Sequence, residues 1–114
     1  MKEVLKRIEK NLENICNSLR IGSCVETSKL IFNALKDGYN VSIRNMPNQN
    51  HVVVFLELNG ETYVIDPLIE INYGVPTDKK IFRLDEHKEV MEKVTKKKPF
   101  SIYMGKEIIY QKIS

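Results

Sequence analysis

An Asn-Gly pair between two apolar segments limits how this chain can fold more than any other feature. Asn59-Gly60 separates residues 51–58 from residues 61–66, and both segments combine β-branched and aromatic residues. A two-residue Asn-Gly loop is a strong signal for a tight antiparallel hairpin. Because such a loop also sets the register, it fixes which residues of the two strands oppose each other.

The predicted register brings a histidine and an aspartate together. Counting outward from the turn, Val53 opposes Asp66, and His51 lies two residues further along its strand on the same face. His51 and Asp66 are then diagonal neighbours, with backbones about 7 Å apart. A carboxylate in this position can accept an imidazole N–H, which leaves the other ring nitrogen to take a proton from a thiol.

Cys24 lies at the predicted start of a helix. Gly22 interrupts the preceding helical pattern, Ser23 is a suitable N-cap, and Glu26 completes a capping box. The free backbone N–H groups and the positive end of the helix dipole favour a thiolate there, and the thiolate is the nucleophilic form of cysteine. A buried, inert cysteine is the ordinary alternative, and we favour that interpretation for Cys16.

The remaining pattern predicts an α+β fold in which N-terminal helices pack on a small antiparallel sheet, as a single domain over residues 1–114. Leu30, Ile31, Ala34 and Leu35 are expected to form the apolar side of the second helix, and His87 is expected to be solvated. Besides the central hairpin we predict helices over residues 2–19, 23–36 and 85–97, strands over 41–44 and 80–84, and a closing hairpin from 100–104 and 107–113.

Composition excludes several classes of protein. The 114 residues are 42% hydrophobic and 29% charged, which is typical of a globular chain and not of a disordered one. Two cysteines are too few for a disulfide scaffold, their spacing suits no zinc site, and no cofactor motif is present. No segment suits a signal peptide or a membrane span, so we expect production in the cytoplasm and no membrane partner.

These residues resemble a known family. A cysteine at a helix start, a histidine at a strand start and an aspartate on the next strand follow the order of the papain-like and transglutaminase-like fold. Residues 21–25 (Ile-Gly-Ser-Cys-Val) resemble the papain nucleophile segment, with Val25 in place of the usual aromatic residue. Residues 50–55 and 63–67 resemble the compact transglutaminase-like members. The similarity covers roughly residues 18–68 and is greatest to the small papain-fold toxin domains of bacterial polymorphic toxin systems.

The resemblance implies a Cys24-His51-Asp66 catalytic triad that acts on a protein substrate. As a peptidase, deamidase or transglutaminase, the chain would serve as a toxin or effector delivered to another cell, with an immunity protein as partner. Papain-like enzymes carry a Gln six residues before the nucleophile as oxyanion donor, and Ser18 takes that position here. Asn17, Ser18 and Gln49 are therefore the candidates for the second oxyanion donor beside the backbone N–H of Cys24.

Two other functions compete with the enzyme. The first is a non-catalytic protein-binding module on the same fold, in which Cys24 is inert. The second is a nucleic-acid-acting domain that uses the basic cluster Lys93, Lys96, Lys97 and Lys98. That domain ranks last, because the net charge is only +3 and no aromatic stacking motif accompanies the lysines.

Overall fold

The structure, a computed structural model, describes residues 2–13, 24–46, 51–69, 79–96 and 111–112. These residues form three helices and five strands. Their arrangement is α+β, as predicted. In chain order the elements are α1 (Lys2–Asn11), α2 (Cys24–Leu35), β1 (Asn40–Met46), β2 (His51–Leu58), β3 (Glu61–Ile65), β4 (Ile81–Arg83), α3 (Leu84–Lys96) and β5 (Gln111–Lys112).

The strands form one antiparallel sheet in the order β4-β3-β2-β1-β5. The central hairpin has the predicted register, with Leu58 opposite Glu61 and Val54 opposite Ile65. Asn59 and Gly60 both have positive φ angles, 51° and 79°. A tight turn that matches the twist of the strands needs this left-handed backbone, which explains why Asn-Gly occurs here.

One face of the sheet packs against the two N-terminal helices. Strand residues that point to this face, among them Val54 and Leu56 of β2, form a single buried cluster with helical side chains of α1 and α2. The buried members of this cluster are Ile8, Leu12, Ile31, Leu35, Val54, Leu56, Tyr63, Ile65 and Ile81. The prediction that the N-terminal helices pack on the sheet is therefore confirmed.

The opposite face of the sheet packs against α3. Val53 and Phe55, which alternate with the residues of the first cluster along β2, form a second buried cluster with Phe82 and with Met91 of α3. The sheet is thus covered on both faces. This explains why β2 has a nearly continuous apolar sequence rather than an alternating one.

The apolar side of α2 differs from the prediction. Its buried stripe consists of Thr27, Ser28, Ile31 and Leu35, whereas Leu30 is 54% exposed and Ala34 is exposed as well. The reason is geometric, since the buried positions recur at three- and four-residue steps and define one narrow face toward the sheet. Leu30 lies about 100° around the helix from Ile31, beyond the edge of that face.

The predicted boundaries of the other elements are partly tested. The helix predicted over residues 2–19 is described only to residue 13, and α1 ends at Asn11. The strand predicted at 41–44 is longer at both ends, and the one predicted at 80–84 is shorter. Of the closing hairpin only β5 is described, and it pairs with β1.

None of the helices in the described part of the chain has the length and apolar character that a membrane span requires.

Candidate active site

His51 and Asp66 form a buried hydrogen-bonded pair, as the hairpin register predicts. His51 Nε2 lies 2.9 Å from both carboxylate oxygens of Asp66, and each residue is 1% exposed. Although β3 ends at Ile65, the backbone N–H of Asp66 donates to the carbonyl of Lys80 at 2.8 Å. The carboxylate is therefore held by the continuation of the sheet, at the end where β2 begins.

The ionisation of Asp66 determines which nitrogen of His51 carries the proton. Burial raises the pKa of Asp66, but hydrogen bonds from His51 and His87 outweigh burial and lower this pKa to about 2. At neutral pH the carboxylate is therefore ionised and can only accept hydrogen bonds. His51 must donate from Nε2, so in the neutral imidazole Nδ1 is the basic nitrogen.

His87 is a third member of this buried cluster, and the expectation that it is solvated is wrong. It is 0% exposed, and its Nε2 lies 2.8 Å from Asp66 Oδ2. The ring also meets the ring of Phe82 edge-on, with centroids 5.6 Å apart and an interplanar angle of 63°. Asp66 thus accepts hydrogen bonds from two histidines, one on β2 and one on α3.

The helical spacing contains a signal that identifies His87 as buried. His87 lies three residues after Leu84 and four residues before Met91, so these three residues share one face of α3. That face packs on the sheet. The charged neighbours Glu86 and Lys88 suggest a solvated residue, but they lie about 100° away on either side of it.

Cys24 is the first residue of α2, as predicted, and the backbone brings it to the His51 end of β2. The Ser28 hydroxyl donates to the carbonyl of Val52 at 3.2 Å, near the start of β2. At its other end α2 leads directly into β1, whose first residue, Asn40, opposes Glu57 near the end of β2. The helix therefore runs in the same direction as β2, and its N-terminus lies beyond Val52. The side chain of Cys24 itself lies outside the described part of the structure.

Most of the other predicted site residues fall outside the described part of the chain. Asn17, Ser18 and Gln49, the candidates for the second oxyanion donor, lie outside the described residues, as does Cys16. Of the basic cluster, the structure describes the side chain of Lys93, which is largely exposed. Its Nζ lies 3.7 Å from Oε1 of Glu89, one helical turn away. Such an exposed pair is typical of a solvated helix surface.

The described cluster of His51, Asp66 and His87 is suited to proton transfer, because a carboxylate orients two imidazole rings. Within residues 2–13, 24–46, 51–69, 79–96 and 111–112, no group of three or more His, Cys, Asp or Glu side chains could hold a metal ion. Both histidine Nε2 atoms are directed at the carboxylate of Asp66.

Comparisons of the chain with protein-family models, curated proteins and solved structures found no match.

The buried Asp66 carboxylate should make stability depend on acid pH. Its pKa is lower in the folded chain than the ordinary 3.8, so ionisation stabilises the fold above pH 4. This contribution is roughly 2 kcal/mol, because one pKa unit corresponds to about 1.4 kcal/mol. It is lost as the pH falls from about 4 through the folded pKa of about 2.

Asp66→Asn isolates this contribution. We expect the variant to be less stable than the wild type at pH 7 by roughly 2 kcal/mol, with the difference shrinking toward zero between pH 4 and pH 2. Urea denaturation of both proteins at several pH values measures it. Other carboxylates titrate in both proteins and cancel. A difference that stays constant down to pH 2 would contradict a stabilising, ionised Asp66.

Proposed function

We propose that this chain is a cysteine-dependent acyl-transfer enzyme with Cys24 as nucleophile, His51 as general base and Asp66 as the residue that orients His51. The observation that carries the proposal is the buried hydrogen bond from His51 Nε2 to Asp66. It leaves Nδ1 of His51 as the basic nitrogen. α2 begins with Cys24 at the same end of the sheet but packs on the opposite face from His51, so Cys24 must reach Nδ1 of His51 past the start of β2. Nucleophile, base and orienting carboxylate are the parts that covalent catalysis needs.

The helix start supports the choice of nucleophile. The first backbone N–H groups of α2 have no acceptor within the helix, and with the helix dipole they favour negative charge at that end. A thiolate at Cys24 benefits from this field. An imidazolium at His51 is in turn stabilised by the Asp66 carboxylate. The N-terminus of α2 thus stabilises the thiolate of a thiolate–imidazolium pair, and the Asp66 carboxylate stabilises the imidazolium.

The proposed reaction has two steps. The Cys24 sulfur attacks a carbonyl carbon of the substrate, and its proton goes to Nδ1 of His51. The backbone N–H of Cys24 then donates to the developing oxyanion. His51 gives the proton to the leaving amine or alkoxide, and a thioester on Cys24 remains. Water resolves the thioester in a peptidase or deamidase, and a second amine resolves it in a transglutaminase. In either case His51 removes a proton from the incoming group and returns it to the Cys24 sulfur as the C–S bond breaks.

The biological role that we propose follows from the resemblance to papain-fold toxin domains. The substrate is a protein of a competing or host cell, and an immunity protein protects the producing cell. The non-catalytic alternative, a protein-binding module on the same fold, finds support in α2. Val25 and Leu30 of that helix are 48% and 54% exposed, and exposed large apolar side chains can contribute to a protein-binding surface.

Selective alkylation of Cys24 separates the enzyme from the binding module. We expect iodoacetamide at pH 6.5 to modify Cys24 at least tenfold faster than Cys16, because Cys24 begins α2 and is proposed to share a proton with His51, whereas no such role is proposed for Cys16. Mass spectrometry of the digested chain reports both rates in one sample, so Cys16 serves as the internal control. Slow, equal rates at the two cysteines would exclude an activated nucleophile and favour the binding module.

A further inference from the structure

His87 is buried against the candidate active site although the proposed reaction gives it no role. It lies in the first turns of α3, on the face that packs on the sheet, and it is 0% exposed. A buried imidazole ring could fill space as any apolar ring does. His87 instead directs Nε2 at the Asp66 carboxylate, at 2.8 Å. A buried polar group in this position calls for a reason beyond packing.

The two histidines contact the oxygens of the Asp66 carboxylate differently. His51 Nε2 is equidistant from Oδ1 and Oδ2, at 2.9 Å, whereas His87 Nε2 contacts Oδ2. Rotation of an aspartate carboxylate about its last bond is soft, so a single donor does not fix its plane. Donors on two different elements, β2 and α3, fix that plane in the orientation that His51 uses.

The same contact keeps the carboxylate charged. An ionised carboxylate withdrawn from water is costly unless donors compensate it. The titratable groups of the described residues that act on Asp66 are His51 and His87, and both lower its pKa against the effect of burial. If His87 is removed, Asp66 stays buried with one donor fewer and its carboxylate is no longer held in the plane that His51 uses, so the hydrogen bond that supports positive charge on His51 becomes weaker.

We propose that His87 is a positioning residue that holds Asp66 in the plane and charge state required to orient His51 and stabilise its protonated form. His87 makes no contact with substrate in this role, and it acts on Cys24 through Asp66 and His51 in turn. The inference rests on the proposed function, because it assigns a supporting residue to the same site. It predicts that the reactivity of Cys24 depends on His87 of α3 through Asp66, which follows β3, and through His51 of β2.

Two substitutions test the proposal in the full chain. His87→Leu removes the donor and keeps a buried apolar side chain, whereas His87→Gln keeps an N–H donor at about the distance of Nε2. The readout is the rate at which iodoacetamide alkylates Cys24 between pH 5.5 and 9. We expect His87→Leu to lower that rate about fourfold at pH 6.5, which is less than the effect of Asp66→Asn, and to shift the midpoint of its pH profile upward by about half a unit. His87→Gln should keep the rate within about 1.5-fold of the wild type.

The pH profile distinguishes positioning from simple packing. If His87 only filled space, His87→Leu would reduce stability, but the folded fraction would alkylate with the wild-type pH profile. That outcome overturns the inference. Equal shifts in His87→Leu and His87→Gln would overturn it too, because the donor would then be irrelevant.

Two companion variants separate this inference from the proposed function. If His51→Ala and Asp66→Asn slow the alkylation of Cys24 and His87→Leu does not, only the role of His87 is wrong. If none of the three has an effect, the proposed triad fails and the role of His87 fails with it.

A measurement on the wild type covers the case in which His87→Leu does not fold. Long-range proton–nitrogen NMR of the imidazole rings reports which nitrogen of each histidine carries a proton. We expect His87 to carry its proton on Nε2 at neutral pH. A neutral ring protonated on Nδ1 alone would overturn the inference, because Nε2 would then have no proton to donate to Asp66.

Discussion

Cys24→Ala is expected to abolish the growth inhibition that the wild-type chain causes when it is produced in bacterial cytoplasm. The substitution removes the sulfur that forms the acyl-enzyme, and no other side chain of the proposed site can replace it. Alanine is a good helix former, so α2 should still begin at residue 24. Cell growth after induction, compared with an empty vector, measures the effect, which we expect to be complete.

Two controls make this result interpretable. Cys16→Ala removes the other thiol and should remain as toxic as the wild type. The purified Cys24→Ala protein should keep the wild-type circular dichroism spectrum and still bind an immunity protein, because binding does not need the sulfur. If folded Cys24→Ala inhibits growth as strongly as the wild type, catalysis by Cys24 is wrong. The toxicity would then come from binding, through features such as the exposed Val25 and Leu30 of α2 or the lysines near the end of α3.

The pairing of His51 with Asp66 was predictable because it depends on one short turn and the strand register that this turn sets. Asn59-Gly60 allows a two-residue turn, the turn sets the register, and the alternation of side chains along a strand does the rest. The observed register agrees from Val54 opposite Ile65 outward to the turn. Few positions in a sequence specify a non-local contact as directly as this hairpin does.

The place of α3 in the fold was less predictable, because it depends on which face of the sheet remains to be covered. The apolar run of β2 indicates that both faces are buried, but it does not say which helix covers which face. His87 was missed for this reason. Its charged neighbours suggest solvent, and only the packing of α3 on the face that contains Asp66 turns it toward the carboxylate.

The exposure of Leu30 illustrates the opposite error. Leu30 and Ile31 are adjacent in sequence and equally apolar, so composition favours burial of both. A helix that packs on a sheet by one face buries only a stripe, and α2 buries Ser28, Ile31 and Leu35 along it. The helix period predicts this stripe better than apolar character does.

His51→Ala is expected to lower the rate of Cys24 alkylation at pH 6.5 on the order of a hundredfold. Without the imidazole, the thiol loses its proton acceptor and the thiolate loses its cationic partner, and removal of a positioned base costs about 10²–10⁴-fold in typical enzymes. Asp66→Asn should lower the rate less, by about tenfold. An amide can still accept the Nε2–H of His51, but it stabilises the imidazolium less than a carboxylate does.

The double variant His51→Ala/Asp66→Asn tests whether these residues act as a unit. If Asp66 acts on Cys24 only through His51, its substitution has no further effect once His51 is gone, so the double variant should alkylate as slowly as His51→Ala alone. Each protein must keep its secondary structure at the assay pH, and Cys16 in the same samples reports any general loosening of the chain. If the two substitutions instead multiply to about a thousandfold, Asp66 acts on Cys24 by a route of its own. The orienting role of Asp66 would then be wrong even though both residues lie within 2.9 Å of each other.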